Sequence, residues 1–146
     1  MRRVDESSGA TIELHPAHSA AHPRRRRVLF VAEGVSLSQV VRLRVLAAAL
    51  DPARYDVSFA CARFDPMIFG GTTFRRRRIH SLSPEGMMAR VARGRRLYDE
   101  AALAHYIDEE LRLFAELAPE LVIGDLRLSL AVSAPVFGVP HATLIN

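Results

Sequence analysis

Apolar positions along this chain fall into two alternating rhythms, one that suits strands and one that suits helices. Val28 to Ala32 is an unbroken apolar run closed by Glu33 and a single glycine, Gly34, as a strand covered on both faces requires. The segment after it carries Ser36, Ser38 and Gln39 and then becomes rich in Ala, Leu and Val as far as Leu50. This predicts a buried strand, a tight turn and a well-buried helix capped at Ser38 and stopped by Asp51-Pro52. Tyr55 to Cys61 reads as a second strand. Phe74 to Ile79 reads as a short third one interrupted by Arg75 to Arg78, with irregular chain between Ala62 and Gly71.

The clearest helix runs from Asp99 to Leu117. Leu103, Tyr106, Ile107, Leu111, Phe114 and Leu117 share one face of it, Glu100, Asp108, Glu109 and Arg112 fall away from that face, and Pro119 ends it. Leu121 to Asp125 follows as a strand, Ser129 to Phe137 as a helix with Gly138 just past its end, and Pro140 to Ile145 as a last strand. Pro135 implies a kink or an early stop in that last helix. Strands alternating with helices argue for an α/β fold, a parallel sheet with helices on both faces and right-handed crossovers. Residues 1–25 lack any sustained period and read as a disordered leader, so the domain begins at Arg26.

Composition narrows this picture only slightly. At 146 residues and 49% hydrophobic content the chain can bury one core, and it contains no apolar run long enough to span a bilayer and no signal-peptide segment, which reads as a cytoplasmic protein. The lone cysteine, Cys61, excludes a disulfide framework and sits in a strand pattern, where an inert buried thiol is expected. All twenty basic residues are arginine, and the net charge of +4 is concentrated in the first 27 residues, leaving the predicted domain near neutral. The Arg24 to Arg27 and Arg75 to Arg78 blocks have no interleaved aromatics, so solvated loop charge is expected there and nucleic acid is not an expected partner.

Ligands of such sheets bind outside the carboxyl ends of the strands. Here those ends carry Glu33-Gly34, Cys61-Ala62, His80, Asp125 and Asn146. Gly34 alone does not make a dinucleotide or triphosphate loop. Gln39, just inside the helix, either hydrogen-bonds a ligand hydroxyl or completes the helix start, and as an amide it takes no proton near neutral pH. Asp125 either faces the crevice, orienting a base or accepting from a ligand, or caps the next turn, for which Ser129 is the better candidate. His80, His105 and His141 have no metal-ligand spacing, and His105 lies on the polar face of its helix.

Taken together, Arg-Arg-Val-Leu-Phe-Val-Ala-Glu33 with Ser-Leu-Ser-Gln39-Val-Val-Arg42, Leu-Asp-Pro-Ala-Arg-Tyr55-Asp-Val-Ser-Phe-Ala60, Pro119-Glu-Leu-Val-Ile-Gly-Asp125-Leu-Arg-Leu-Ser129 and Gly138-Val-Pro-His-Ala-Thr143 resemble the N-terminal, acceptor-side part of GT-B nucleotide-sugar glycosyltransferases. The likeness is to bacterial enzymes of the UDP-glucuronosyltransferase and macrolide glycosyltransferase type, and it covers Arg26 to Asn146. It implies an incomplete Rossmann-like domain on the acceptor-binding side of an enzyme that moves a sugar from a nucleotide donor to a hydroxyl of a small lipophilic acceptor. The family's base histidine falls at Gln39 and a proline usual a few residues later falls at Leu43. Asp125 matches the position of an orienting carboxylate.

By this resemblance Glu33, Gly34, Gln39 and His80 line the acceptor pocket. No cofactor or metal is expected on this chain, and the nucleotide sugar is expected on a C-terminal domain that this sequence does not include or that a second chain supplies. The alternative is a non-catalytic α/β module that serves a partner enzyme or binds a small hydrophobic ligand. A sheet cut at this point leaves edges and helix-docking faces uncovered, so the chain expressed alone is expected to be poorly soluble or to oligomerise. Light scattering tests this, and a well-behaved monomer would speak against it.

Overall fold

The structure, a computed structural model, describes residues 24–145. All but the last two residues of the expected leader, and Asn146 at the end of the last expected strand, lie outside the described residues. Ten elements follow one another: β1 (Arg26–Ala32), α1 (Leu37–Ala49), β2 (Tyr55–Cys61), α2 (Pro66–Phe69), β3 (Arg75–Arg78), α3 (Pro84–Ala92), α4 (Glu100–Leu117), β4 (Leu121–Asp125), α5 (Leu130–Phe137) and β5 (His141–Leu144). The strands pair in the order β3-β2-β1-β4-β5, and every pair is parallel. The strand order reverses between β1 and β4, the point at which open parallel sheets ordinarily bind their ligands.

Alternation along β1 divides the core. Val28, Phe30 and Ala32 face α1 and α2, where they meet Val40, Leu43, Ala47, Phe59 and Phe69. Leu29 and Val31 face the other way, against Leu113, Phe114 and Leu117 of α4 and Leu130 and Ala134 of α5. Phe59 is the hub of the first layer, its ring stacked on Phe30 and Phe74 and set edge-on to Phe64 and Phe69. On the second layer α5 packs so close to β4 that a Cβ on Gly124 would come within 2.4 Å of Leu130 Cδ1. Glycine at the strand end is therefore a packing requirement.

Several local expectations change. The cap of α1 is Ser36, two residues before Ser38, because the Ser36 N–H donates to the Gln39 side chain and starts the helix there. That helix is half exposed: Leu37, Val41, Val45 and Leu46 face outward, since only the stripe through Val40, Leu43 and Ala47 meets the sheet. The short third strand expected over Phe74 to Ile79 is present as β3, and Arg75 to Arg78, expected to interrupt it as solvated loop charge, form that edge strand themselves, where charged side chains suit a strand with one open side.

The irregular stretch before β3 holds the single turn α2, and α3 occupies a segment for which no helix was expected. Pro135 does not stop α5, which continues to Phe137 and closes on Gly138 in the left-handed conformation. Cys61 is buried with its thiol donating to the Arg63 carbonyl at 2.9 Å, and burial pushes its pKa up to about 12, as an inert thiol requires.

Candidate functional site

A cleft of ≈ 490 Å³ opens at the carboxyl ends of β1, β2 and β3. Its floor is the β1–α1 turn with Gly34 and Val35. One wall is the start of α1 with Leu37 and Val40, and the others are Phe64 and Ile68 of the β2–α2 segment and Pro84 of α3. Arg63, Asp65 and Arg78 supply its charge. Gly34 lies where a side chain would crowd Ala62, its ideal Cβ falling 3.3 Å from the Ala62 Cβ, and its N–H donates to Ser81 Oγ at 3.1 Å. The turn is thus tied to both neighbouring loops. Gln39 is nearly buried, and its Oε1 accepts from the Ser36 N–H at 3.0 Å. The carbonyl of this amide is therefore used in the helix start.

Asp125 and Glu33 end adjacent strands, yet they point to opposite sides of the sheet. Asp125 is paired in register with Ala32 and faces α1, where Arg42 grips both carboxylate oxygens, Nε to Oδ2 and Nη2 to Oδ1, each at 2.8 Å. The carboxylate is buried while the arginine is about one-third exposed. A two-pronged bond of this kind fixes the helix against the sheet and commits both oxygens.

Glu33, itself fully buried, lies on the α4 side in a polar network. Tyr98 Oη donates to its Oε2 and Tyr106 Oη to its Oε1, both at 3.2 Å, and Arg127 Nη1 lies 3.4 Å from Oε2. Arg127, also without solvent exposure, donates through Nε to Glu110 Oε1 at 2.6 Å and through Nη1 to the His80 carbonyl at 2.5 Å. Its guanidinium sits 3.8 Å above the Tyr106 ring. Glu110 is closed off by the Ser129 and Ser133 hydroxyls, one on each oxygen at 2.5 Å. Ser129 therefore spends its hydroxyl on Glu110 and does not cap α5 with it.

Burial raises the pKa of Glu33 above the ordinary carboxylate value, and the Arg127 charge and the two phenols only partly oppose it. The Tyr98 and Tyr106 hydroxyls are pushed upward by burial and by the adjacent Glu33, so both stay protonated donors. Leu126, between the two sides of the sheet, adopts a left-handed backbone with φ of 52°. This uncommon turn for a leucine follows Asp125, facing α1, and precedes Arg127, facing α4.

The expected site residues therefore separate. Gly34 lines the cleft, Gln39 supports its turn, and Asp125 is held by Arg42 on the α1 side. Glu33 is sealed beneath the turn on the other side, and His80 is exposed, contributing its carbonyl to Arg127 and its N–H to Glu109 Oε2 at 2.8 Å. The ring of the exposed His105 stands edge-on to that of His80 at 5.2 Å. Glu110, Arg127, Tyr98 and Ser133 were not expected at the site, and Ser129 was expected only as a helix cap. Glu110 had a signal: it falls four residues after Tyr106 and seven before Leu117, on the apolar stripe where an acid needs a buried partner.

No family profile matches the chain. A PGL/p-HBAD biosynthesis rhamnosyltransferase of Mycobacterium bovis (strain BCG / Pasteur 1173P2) is 42% identical over 144 residues, which is 99% of this chain and 31% of the relative. An inactive PGL/p-HBAD biosynthesis glycosyltransferase of the same strain is 43% identical over 124 residues, 84% of this chain and 34% of the relative. The chain spans about a third of the length of these curated relatives. Among solved structures, spinosyn forosaminyltransferase SpnP superposes with a TM-score of 0.56 at 22% identity, covering 82% of this chain and 31% of that one. The glycosyltransferase SnogD from Streptomyces nogalater gives 0.54 at 20% identity, covering 83% and 35%. The C-terminal domain of PF1911 hydrogenase from Pyrococcus furiosus also gives 0.54, at 14% identity and covering 86% and 97%. At such identities these likenesses show the fold alone, and the same sheet evidently serves unrelated chemistry.

Two outcomes follow from the buried network. Arg127→Met leaves Glu110 and Glu33 without their cation and is expected to cost about 3–5 kcal/mol in urea unfolding; a loss under about 1 kcal/mol would show that the network is dispensable. Glu33 acts through pH. The native state keeps a proton that the unfolded chain releases above about pH 4.5, so the stability this gives is complete below that value and is lost as pH rises through the raised native pKa. Asp99 and Glu120, held low by Arg90 and by the Arg27 N–H respectively, act in the opposite sense and only on the acid side. Glu33→Gln cannot ionise, so its unfolding free energy is expected to decline less than that of the native chain between about pH 4.5 and 8. Parallel pH profiles would mean that Glu33 titrates as an ordinary carboxylate.

Proposed function

As a homologue of the PGL/p-HBAD glycosyltransferases with part of a GT-B fold, this chain, we propose, forms the acceptor-binding side of a cytoplasmic glycosyltransferase. The observation that carries the reading is the cleft at the strand ends, with apolar walls from Leu37, Val40, Phe64 and Ile68 and with Arg63, Asp65 and Arg78 also in its lining. Such a lining suits a small lipophilic molecule whose one hydroxyl is left facing outward. In the transfer reaction that hydroxyl loses its proton and its oxygen bonds to the anomeric carbon, while the bond to the nucleotide diphosphate breaks and the diphosphate leaves with the electron pair.

The contribution of this chain is then to hold and orient the acceptor. Gly34 keeps the floor of the cleft low, Gln39 braces the turn and Asp125 fixes α1 through Arg42. Glu33 and the His80 backbone support the turn and the β3–α3 connection from beneath. The nucleotide sugar belongs to a further domain or a second chain. Gln39 stands where the family pattern has its base and cannot accept a proton near neutral pH, so the 146-residue chain is expected to be inactive by itself. A second reading, a non-catalytic binding module, draws on that same amide and on the relative named inactive.

Binding and turnover test the first reading. Calorimetric titration with 4-nonylphenol is expected to show a complex that Leu37→Arg weakens at least about tenfold by putting a charge in place of an apolar wall of the cleft. Leu37 is 66% exposed, so the variant should keep its stability within about 0.5 kcal/mol. Equal binding by both proteins would place the acceptor elsewhere. Steady glycoside formation by the isolated chain from a nucleotide sugar and 4-nonylphenol would overturn the assignment of the donor to another domain.

A further inference from the structure

The arginines of β3 are not alike. Arg75 lies 3.7 Å from Asp56 Oδ2, Arg76 donates to the Phe69 carbonyl at 2.7 Å and lies over the Phe64 and Phe69 rings, and Arg77 donates to Glu116 Oε1 at 2.6 Å. Arg78, at the carboxyl end, differs: it lines the cleft, and among the described residues it has no ion-pair partner. Arg63 is placed like it beyond the neighbouring strand. It too lines the cleft without an ion-pair partner among the described residues, and its carbonyl accepts from the Cys61 thiol at 2.9 Å. Cys61 is in register with Arg78, and the Ile79 N–H donates to the Cys61 carbonyl at 3.3 Å, so both arginines rise from strand ends that are fixed to each other.

One carboxylate opposes them in the lining. Asp65 spends Oδ1 on the Met67 N–H at 2.8 Å, capping α2, and forms an ion pair with neither arginine. The first turn of α1 carries no acidic residue, and Ser36 and Leu37 at its start line the same cleft, so the positive end of that helix adds to the field of the arginines. Solvation accounts for an arginine on an open face. Here two of them share one cleft with Leu37, Val40, Phe64 and Ile68, and low-dielectric walls concentrate their field on the occupant. A neutral lipophilic ligand leaves that field unused, and a bare phosphate leaves the apolar walls unused.

We propose that the cleft takes an amphiphilic anion, a hydroxylated acceptor whose apolar body lies against Leu37, Val40, Phe64 and Ile68 and whose carboxylate is bound by Arg63 and Arg78. This rests on the acceptor reading and narrows it: the two arginines select for charge and the apolar walls for hydrocarbon. Guanidinium groups suit the task because each offers paired N–H donors to the two oxygens of a carboxylate.

Calorimetric titration of the 146-residue chain at about pH 7 with 10-hydroxydecanoate and with its methyl ester is the test, since the two share chain and hydroxyl and differ in charge. The acid is expected to bind at least about tenfold tighter than the ester, as hydrogen bonds to a charged group provide. About 0.5 M salt should weaken binding of the acid and leave the ester unaffected. Arg63→Gln/Arg78→Gln is expected to abolish the preference and to bind the ester as the native chain does; both side chains are exposed, so its urea midpoint should stay at the native value. Arg93→Gln/Arg95→Gln removes the same charge from outside the cleft and should keep the preference. Equal binding of acid and ester by the native chain, or an undiminished preference in Arg63→Gln/Arg78→Gln, overturns the inference; the acceptor reading survives that result when 4-nonylphenol still binds and Leu37→Arg weakens it. Absence of binding by all three compounds overturns both. Inorganic pyrophosphate that binds through the same two arginines more tightly than the acid would assign them to the phosphates of the donor and overturn the inference as well.

Discussion

One buried guanidinium holds the ligand-facing end of this sheet together. Arg127 reaches the end of β1 through Glu33, α4 through Glu110 and the Tyr106 ring, and the β3–α3 connection through the His80 carbonyl. Three segments distant in sequence converge on a group that has no contact with water. Taking such a charge out of water is costly, and the attraction to its partners offsets that cost only when nearly every polar atom is matched. Here Glu110 is fully matched by Arg127 and two serines, while Arg127 Nη2 has no hydrogen-bond partner and lies 3.8 Å from Glu109 Oε2. The network therefore specifies an arrangement more than it adds stability, and the absence of one partner is far more harmful than the presence of all is helpful.

Parity along the strands decides which residues take part in which assembly. Ala32 is paired with Asp125, and both face α1, so Glu33, one residue on, faces α4. Two carboxylates that sit side by side in the order of strand ends are thereby put to different uses. Asp125 fixes α1 through Arg42 on one side of the sheet, and Glu33 enters the Arg127 network on the other. Neither lines the cleft, which is left to apolar side chains, backbone and the charges of Arg63, Asp65 and Arg78.

The fold was legible because its signals are local. Apolar runs bounded by glycine mark β1 and β4, and a period of 3.6 marks α4, so the strands and the long helices fall where the pattern put them. What pattern could not supply were pairings across the chain. Arg127 follows a strand and reads as loop charge until the fold brings Glu110 to it from 17 residues away and Glu33 from 94. Arg75 to Arg78 read as a charged interruption of the short strand expected over Phe74 to Ile79, yet they are β3 itself: an edge strand needs backbone pairing with β2 and no apolar side chains. Ser36 displaced Ser38 as the cap because the Gln39 side chain lies three residues from one and next to the other, a distance rule visible in sequence once Gln39 is considered as part of the helix start.

The cleft owes its shape to anchors outside it. The start of α1 is fixed from below by Arg42 on Asp125, and the turn before it by Gly34 on Ser81 and by Gln39 on Ser36. The opposite wall is fixed by aromatic packing, with Phe64 set edge-on to Phe59 and Phe69 and the Arg76 guanidinium lying 5.9 Å and 5.7 Å from the Phe64 and Phe69 rings. The β3–α3 side is held by Arg127 on the His80 carbonyl and by Tyr106 Oη, which accepts from the Leu82 N–H at 2.6 Å. A cleft with all its walls held in this way is formed before any ligand arrives, so little ordering cost falls on binding. A polar core so close beneath an apolar cleft is thus consistent with a binding surface: the ion pairs supply the fixed geometry, and the side chains above them supply the contact.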